Sequence, residues 1–337
     1  MNIKDVAKRA GVSISTVSRV INRSAYVSPE ISAVVERVLA ETGYRPNALA
    51  KELQRNKTNT IGVMLPRIDL GYFAEMFDGI VTVLNQHGYN VMLANTRDDV
   101  AEELRYFDLF TEKRVDGILF FGTGENPAYQ PAISRMRTPV VLVGQSGAYL
   151  GCSSVSLDSF NAAKAMVSYL IAQGHRRIGC LAVEDHDVSV GIRRKQGYVA
   201  ALEEAGIAFD PSLLAVGTFE YCSGELGAQA LMNHPGGAPT AIYTITDRLA
   251  VAVVGWLQRH GHRVPDDVSV ACVDDPEMLS YCYPSITTMR FDYRATGMQA
   301  AQVIVDRIEG QAQGVADVVM PFTLQVRDST RAVQQGD

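Results

Sequence analysis

Residues 2–31 read NIKDVAKRAGVSISTVSRVINRSAYVSPEI, a basic run that turn residues cut into three short helices. Asn2 is placed to cap the first, with Asp5 at its third position, where a carboxylate favours the free backbone amides and the positive end of the dipole. Ile3, Val6, Ala7 and Ala10 recur at i, i+3, i+4 and i+7, the stripe of a helix packed on one face, while Lys4, Lys8 and Arg9 point away. Gly11 ends that helix, because glycine takes up left-handed backbone without strain. Ser13 opens a second helix with Val17, Val20 and Ile21 inward and Ile14, Ser15, Ser18, Arg19 and Asn22 free. Two helices joined by a turn of about three residues form a helix-turn-helix. A third helix begins at Ser28, Pro29 and Glu30 and stops at Gly43. Its apolar positions Ile31, Val34, Val35, Val38 and Leu39 are expected to close a small three-helix core.

Outward short polar residues and one arginine suit insertion into a DNA major groove, where hydroxyls take either base edge and arginine pairs bidentately with guanine. Charge points the same way. Through Lys57 the chain carries ten basic and five acidic residues, a net of +5, and the remainder carries 21 basic and 32 acidic residues, a net of -11. Such an asymmetry suggests that only the head meets a polyanion. No run of eighteen apolar residues occurs, and Asp5, Lys8 and Arg9 stand where a secretory signal needs apolar residues, so no membrane partner and a cytoplasmic location are expected. Five cysteines, widely spread and never in a C-x-x-C pair, read as reduced thiols rather than a disulfide framework or zinc ribbon.

Residues 3–30, IKDVAKRAGVSISTVSRVINRSAYVSPE, followed by residues 43–63, GYRPNALAKELQRNKTNTIGV, resemble the DNA-binding head and hinge of the lactose/galactose repressor family of bacterial transcription regulators. The resemblance implies that Ile14, Ser15 and Arg19 read bases and that Thr16 and Asn22 contact phosphates. It also implies that the segment after Pro46 folds into a hinge helix on DNA, paired with a second subunit, with Leu53 wedged into the minor groove. Two positions are unusual for the family. Glu52 puts an acid beside phosphates, which should weaken binding or relax the hinge, and Ile14 is apolar enough to contact a thymine methyl.

From about Thr60, short apolar runs alternate with amphipathic helices. Strands are expected at 60–66, 89–96, 116–122, 139–144, 153–158, 176–183, 213–219, 240–246 and 268–275. Helices are expected at Ala74–His87, Ala101–Lys113, Ser159–Gln173, Gly191–Ala205, Ser223–Asn233 and Asp247–His260. Continuous apolar strands separated by helices mean parallel sheets covered on both faces, here two doubly wound α/β lobes. Ligands of such sheets bind beyond the carboxyl ends of the strands. The residues there are Tyr72, Phe73, Gln145, Ser146, Asp158, the loop 184–194, Phe219, Thr246, Asp247, Asp274 and Asp275. Aromatic faces with carboxylates and an arginine suit a polyhydroxylated or heterocyclic small molecule.

The resemblance continues through QGHRRIGCL (173–181), GIRRKQGYVAAL (191–202), VPDDVSVACVDD (264–275) and YPSITTMRFD (283–292), which are similar to the family's effector-binding core, a periplasmic-binding-protein-like fold. It implies that Arg194 binds effector, that Asp274 holds its hydroxyls and that Tyr72, Phe73 and Phe219 lie against it, with Thr246 and Asp247 beside them. Thr246 departs from the asparagine of many sugar-responsive members, and Cys272 replaces a usual glycine. The expected organisation is a helix-turn-helix domain at 1–45, a hinge helix and linker at 46–58, a two-lobed core at 59–331 with crossings near 158–161 and 290, and a tail at 332–337. Only six residues follow Arg331, so no tetramer-forming heptad segment is expected and a homodimer is the simplest assembly.

Enzyme signatures fail on inspection. The stretch GTGENP at Gly122 lacks the third glycine of a dinucleotide loop and follows the wrong strand, and GQSGA lacks the second glycine of a nucleophile elbow. Glu184, Asp185, His186 and Asp187 read as a solvated turn rather than a metal site. The expected function is a regulator, most simply a repressor, that binds double-stranded operator DNA and is released by a small-molecule effector, a sugar or sugar derivative, without cofactor, metal or catalysis. The alternatives are a purine- or nucleoside-responsive regulator using a corepressor, and a solute-binding protein without DNA function.

Overall fold

The computed structural model describes residues 2–22, 24–44, 57–312 and 314–333. Its contacts divide the chain into two units, Met1–Thr58 and Asn59–Asp337.

The first unit holds α1 (Ile3–Ala10), α2 (Ile14–Asn22) and α3 (Pro29–Thr42). The Asn2 side chain accepts the Lys4 and Asp5 amides at 2.9 and 3.1 Å, and Asp5 returns the bond by accepting the Asn2 amide at 2.9 Å. Gly11 and Gly43 end α1 and α3 at φ 66 and 60°. Val6, Ala7, Val17, Val35 and Val38 form the core, with Ile3, Ala10, Val12, Val20, Ile21, Leu39 and Tyr44 packed around it. Ile31 and Val34 do not join it. Both remain 39% exposed, because the apolar stripe of a fourteen-residue helix is wider than two short helices cover.

The second unit is built on two six-stranded sheets. In the first lobe β1 (Thr60–Leu65), α4 (Gly71–Gln86), β2 (Asn90–Asn95), α5 (Val100–Glu112), β3 (Gly117–Phe120), α6 (Tyr129–Ser134), β4 (Val140–Gly144) and β5 (Ser153–Leu157) follow in order. The chain crosses at Asp158 to the second lobe. There follow α7 (Ser159–Ala172), β6 (Ile178–Val183), α8 (Arg194–Glu204), β7 (Leu214–Gly217), α9 (Tyr221–Met232), β8 (Ala241–Thr244), α10 (Asp247–Arg259), β9 (Ser269–Val273), α11 (Met278–Tyr281) and β10 (Thr287–Phe291). It returns at Asp292 to add α12 (Tyr293–Ile308) and β11 (Asp317–Met320) to the first lobe, then crosses once more to place β12 (Phe322–Gln325) on the second sheet. This third crossing has no counterpart in the sequence reading. Sheet order is β11-β5-β4-β3-β1-β2 in one lobe and β12-β10-β9-β8-β6-β7 in the other. All pairings are parallel except β10 with β12.

The loop 188–193 forms a wide helical turn before α8, so that helix begins three residues later than the pattern suggests. Asp158 and Asp292 cap the helices that follow the first two crossings, accepting the Asn161 and Ala295 amides at 3.2 and 2.8 Å. Among the described residues no helix is long and apolar enough to cross a membrane.

Helices α4 and α12 cross at two glycines. A Cβ on Gly79 would stand 2.1 Å from the Arg294 carbonyl oxygen, and one on Gly297 would stand 1.9 Å from that of Met76. A side chain at either place has to push two helices apart, since backbone cannot yield as a flexible side chain does. Gly297→Val is therefore expected to cost about 1–3 kcal/mol or more, read as a lower denaturant midpoint with an unchanged slope; a wild-type midpoint would show that the two helices are not so closely held.

Candidate functional site

In the head, α2 turns its polar side outward. Ile14, Ser15 and Arg19 are exposed and Thr16 is half-buried. The Ser13 hydroxyl meets those of Ser15 and Thr16 at 2.7 and 2.8 Å and accepts the Thr16 amide at 3.1 Å, which fixes the start of the helix. Asn22 donates to the Ser18 carbonyl and hydroxyl at 2.9 and 3.2 Å, while its own carbonyl oxygen is buried without a partner. Among the described residues Arg19 enters no ion pair, and none of the salt bridges involves the head. This face offers hydroxyls and one uncommitted guanidinium. Leu53 lies outside the described residues.

In the two-lobed unit, the carboxyl ends of both sheets meet along one seam. At its centre Arg194, only 1% exposed, donates to both Asp274 oxygens at 2.8 and 2.9 Å and to the Ile245 carbonyl at 2.6 Å. The Tyr293 hydroxyl donates to the same carboxylate from the start of α12. Asp274 reaches this position with a φ of 80°, left-handed backbone that costs a non-glycine residue strain. Burial alone would lower the pKa of Arg194; the Asp274 carboxylate more than offsets this and holds it above its ordinary value. Burial likewise raises the Tyr72 and Tyr293 phenols well above theirs, with nearby aspartates adding to it.

Rings and carboxylates line the seam around this pair. Tyr72 lies 4.2 Å from Phe73 and 5.4 Å from Tyr293, and Phe73 meets Phe121 edge-on at 5.7 Å. Asp187, 7% exposed, accepts the Val190 amide at 2.7 Å; burial pushes its carboxyl up to about 6 despite that bond. Asp247 is also pushed up to about 6, by burial first and by Asp274 second. Among the described residues, three cavities open here. One of about 200 Å³ is lined by Tyr72, Glu75, Tyr221, Asp247, Asp274 and Tyr293 among others. A narrow one of about 50 Å³ lies between Tyr72, Phe73, Phe121 and Asp187. The third, about 330 Å³, lies at the first crossing between Gln145, Ser146, Asp158 and Arg193.

Polar contacts join the lobes across the seam. The Val188 amide donates to the Thr123 carbonyl at 2.8 Å, Arg67 reaches Glu220 at 3.2 Å, Arg248 donates to the Asp69 carbonyl at 3.1 Å, and His186 stands 3.5 Å from Asp98. Among the described residues no group of side chains could hold a metal ion.

Of the seven residues expected to meet a ligand, Tyr72, Phe73, Asp247 and Asp274 line these cavities. Arg194 lies behind Asp274. Thr246 is 6% exposed with an unpartnered hydroxyl, and Phe219 packs 6.3 Å from His186. Tyr293, Glu75 and Arg248 were not foreseen, and Asp187 was covered only as part of its loop. Tyr293 had a legible signal, an aromatic residue directly after a strand-like run and an aspartate.

A buried charge left without its partner is costly, so Asp274→Ala is expected to destabilise the fold by about 3–5 kcal/mol, and Asp274→Ala with Arg194→Met by clearly less; equal losses in chemical denaturation would mean that the pair is not coupled. The raised carboxyls carry a pH prediction of opposite sign to the usual one. A carboxyl with a folded pKa above its unfolded value binds protons more readily when folded, so its stabilising contribution is greatest in acid and falls as pH rises from about 4 to 6. Asp187→Asn should therefore raise Tm at pH 7.5, by roughly 3 kcal/mol in stability, with the gain about halved at pH 5 and gone by about pH 4.

Known proteins resemble this chain along nearly its whole length. The model for bacterial regulatory proteins of the lacI family matches residues 2–47, and that for a periplasmic binding protein-like domain matches residues 167–330. The HTH-type transcriptional repressor CytR of Escherichia coli (strain K12) is 33% identical over 333 residues, which cover 98% of this chain and 96% of the relative. The ribose operon repressor of the same organism is 33% identical over 307 residues, 91% of this chain and 92% of the relative. Among solved structures, the lac repressor dimer bound to operator and the anti-inducer ONPF superimposes with a TM-score of 0.89 at 26% identity, over 98% and 99% of the two chains. The complex of the transcriptional regulator CelR with cellobiose gives 0.74 at 29% identity, over 98% and 99%.

Proposed function

The chain belongs to the lacI family of bacterial regulatory proteins and is a DNA-binding transcriptional repressor, and from that premise we propose that it is a homodimer released from its operator by a sugar or sugar derivative bound between the lobes. The observation that carries the DNA half of this reading is the outward face of α2, where Ser15 and Arg19 stand exposed and Arg19 has no ion-pair partner among the described residues. Ile14, Ser15 and Arg19 read bases, and Thr16 and Asn22 contact phosphates. Leu53 acts in the hinge, beyond the described residues. Two heads on a pseudo-palindromic site give the salt-dependent affinity of phosphate contacts together with the specificity of base contacts. The protein acts in the cytoplasm, where its operator is.

The effector half rests on rings and hydrogen-bonding groups gathered at the strand ends, with Tyr72, Phe73, Asp247 and Asp274 on the cavity walls and Arg194, Thr246 and Phe219 beside them. The names of the ribose operon repressor and the CelR–cellobiose complex favour a sugar. Closure of the lobes on the effector biases the hinge segment, and by linkage an inducer binds less tightly when the protein is on DNA.

Arg19→Ala is expected to cost about 1–3 kcal/mol of discrimination between operator and scrambled DNA, with effector binding and melting temperature unchanged. Titration of both ligands against wild type and variant checks this. Parallel loss of effector binding would show that the head and cleft are not separate sites, and release by purines or nucleosides instead of sugars would replace the effector class.

A further inference from the structure

We propose that the amino end of the first sheet is a second DNA-contacting surface, on which Lys113, Arg135 and Arg137 meet phosphates flanking the site held by the head. Two helix-to-strand turns lie side by side there. Residues 113–116 lead from α5 into β3 and residues 135–139 lead from α6 into β4. The Thr138 hydroxyl donates to the Val115 carbonyl at 3.4 Å and the Ile118 amide to the Pro139 carbonyl at 2.9 Å, which ties one turn to the other. Val115 is buried beneath them and Met136 packs on the same core, so the turns are anchored while Lys113, Arg114, Arg135 and Arg137 stay exposed. Among the described residues Lys113, Arg135 and Arg137 enter no ion pair. Three acids share this end. Glu112 is exposed, Asp116 accepts the Asn59 amide at 2.7 Å, and Glu309 stands 3.7 Å from His87.

Two further observations give this surface a nucleic-acid partner. The first is how charge is distributed. Summed over the sequence the chain beyond Lys57 is acidic, with a net charge of -11, and the carboxyl end of the same sheet exposes Asp69, Asp98, Asp99 and Glu125. DNA therefore repels the body as a whole and attracts this end of it. The amino end of the second sheet is arranged otherwise, because its arginines are neutralised by neighbours: Arg177 by Asp210 at 3.8 Å, Arg263 by Asp267 at 2.7 Å and Arg331 by Asp266 at 3.2 Å. The second observation is where the chain enters. Thr60 opens β1 at the amino end of the first sheet, and only residues 45–58 separate it from the head. Fourteen residues span at most about 50 Å, so DNA bound by the head stays within reach. A tether of that length gives phosphate contacts that are weak singly a high effective concentration.

The test rests on DNA binding by the head and uses the full chain. Its affinity for a fluorescein-labelled duplex of mixed sequence, about 60 base pairs long, is measured from about 50 to 300 mM KCl. Lys113→Gln, Arg135→Gln and Arg137→Gln combined should weaken binding about tenfold or more at low salt. The slope of log K against log salt should fall by roughly 2–3 per subunit, because each neutralised phosphate contributes about 0.9. Arg176→Gln removes an exposed arginine, in no ion pair among the described residues, from the amino end of the other sheet, and should change neither quantity. A reading that needs no variant is acetylation of the wild-type chain by acetic anhydride, from which DNA should protect Lys113. An unchanged slope in the combined variant, an equal loss per charge in Arg176→Gln, or an unprotected Lys113 overturns the proposal and leaves the reading of the head intact. A wild-type chain that binds no duplex overturns both.

Discussion

A guanidinium taken out of water must be neutralised where it sits, and the seam between the lobes is arranged around how Arg194 meets that condition. Its two terminal nitrogens are satisfied by Asp274 and the Ile245 carbonyl, which bind the start of α8 to the ends of β8 and β9, while its Nε is buried without a partner. Asp274 accepts a left-handed φ to present both oxygens, and the Tyr293 hydroxyl supplies its remaining contact from a helix of the other lobe. One buried network thus ties four elements and both lobes. It also uses up the central cation of the cleft, so Asp187 and Asp247 keep carboxyls that burial raises without a basic partner to lower them fully.

The topology restricts how the lobes can move around this network. Three chain segments cross the seam, at Asp158, at Asp292 and between Met320 and Phe322. The first two lead straight into capped helices, and the third is a single proline between β11 and β12. Short parallel crossings permit bending but little sliding. The glycine contact of α4 with α12 makes the first crossing back to lobe one rigid from its start, so bending concentrates in the few residues at the seam itself.

Much of this was legible because local chemistry and tertiary context agreed. Asn2, Gly11, Ser28 and Gly43 act in the structure as their residue types dictate, and the nine strands with continuous apolar runs all form. Where the signal was short it failed. Strand β10 carries the exposed Arg290, and β11 and β12 have four residues each, none of them buried, too little to separate from loop. Ile31 and Val34 followed the helical period but stay 39% exposed, because period fixes the face of a helix and not the width of its neighbours. At the cleft, residue type marked Tyr72 and Asp247, yet only family resemblance singled out Arg194. That Arg194 and Asp274 pair with each other, 80 residues apart, is a property of the fold alone.

The remaining inter-lobe contacts are weak by design of their surroundings. Arg67 with Glu220 and His186 with Asp98 are partly exposed, and pairs of that kind contribute roughly 0–1 kcal/mol each. The Val188 amide and Arg248 add single hydrogen bonds to carbonyls, each about 1 kcal/mol net. A seam held by one strong buried network and several weak rim contacts opens at the rim for little free energy while its pivot stays intact. Moving a two-state equilibrium from mostly one form to mostly the other takes about 5.5 kcal/mol of differential binding, within reach of a small molecule that fills the cavities on one side of the pivot. On the proposed reading, the same weakness at the rim would admit an effector and let its binding be felt at the strand ends of both lobes.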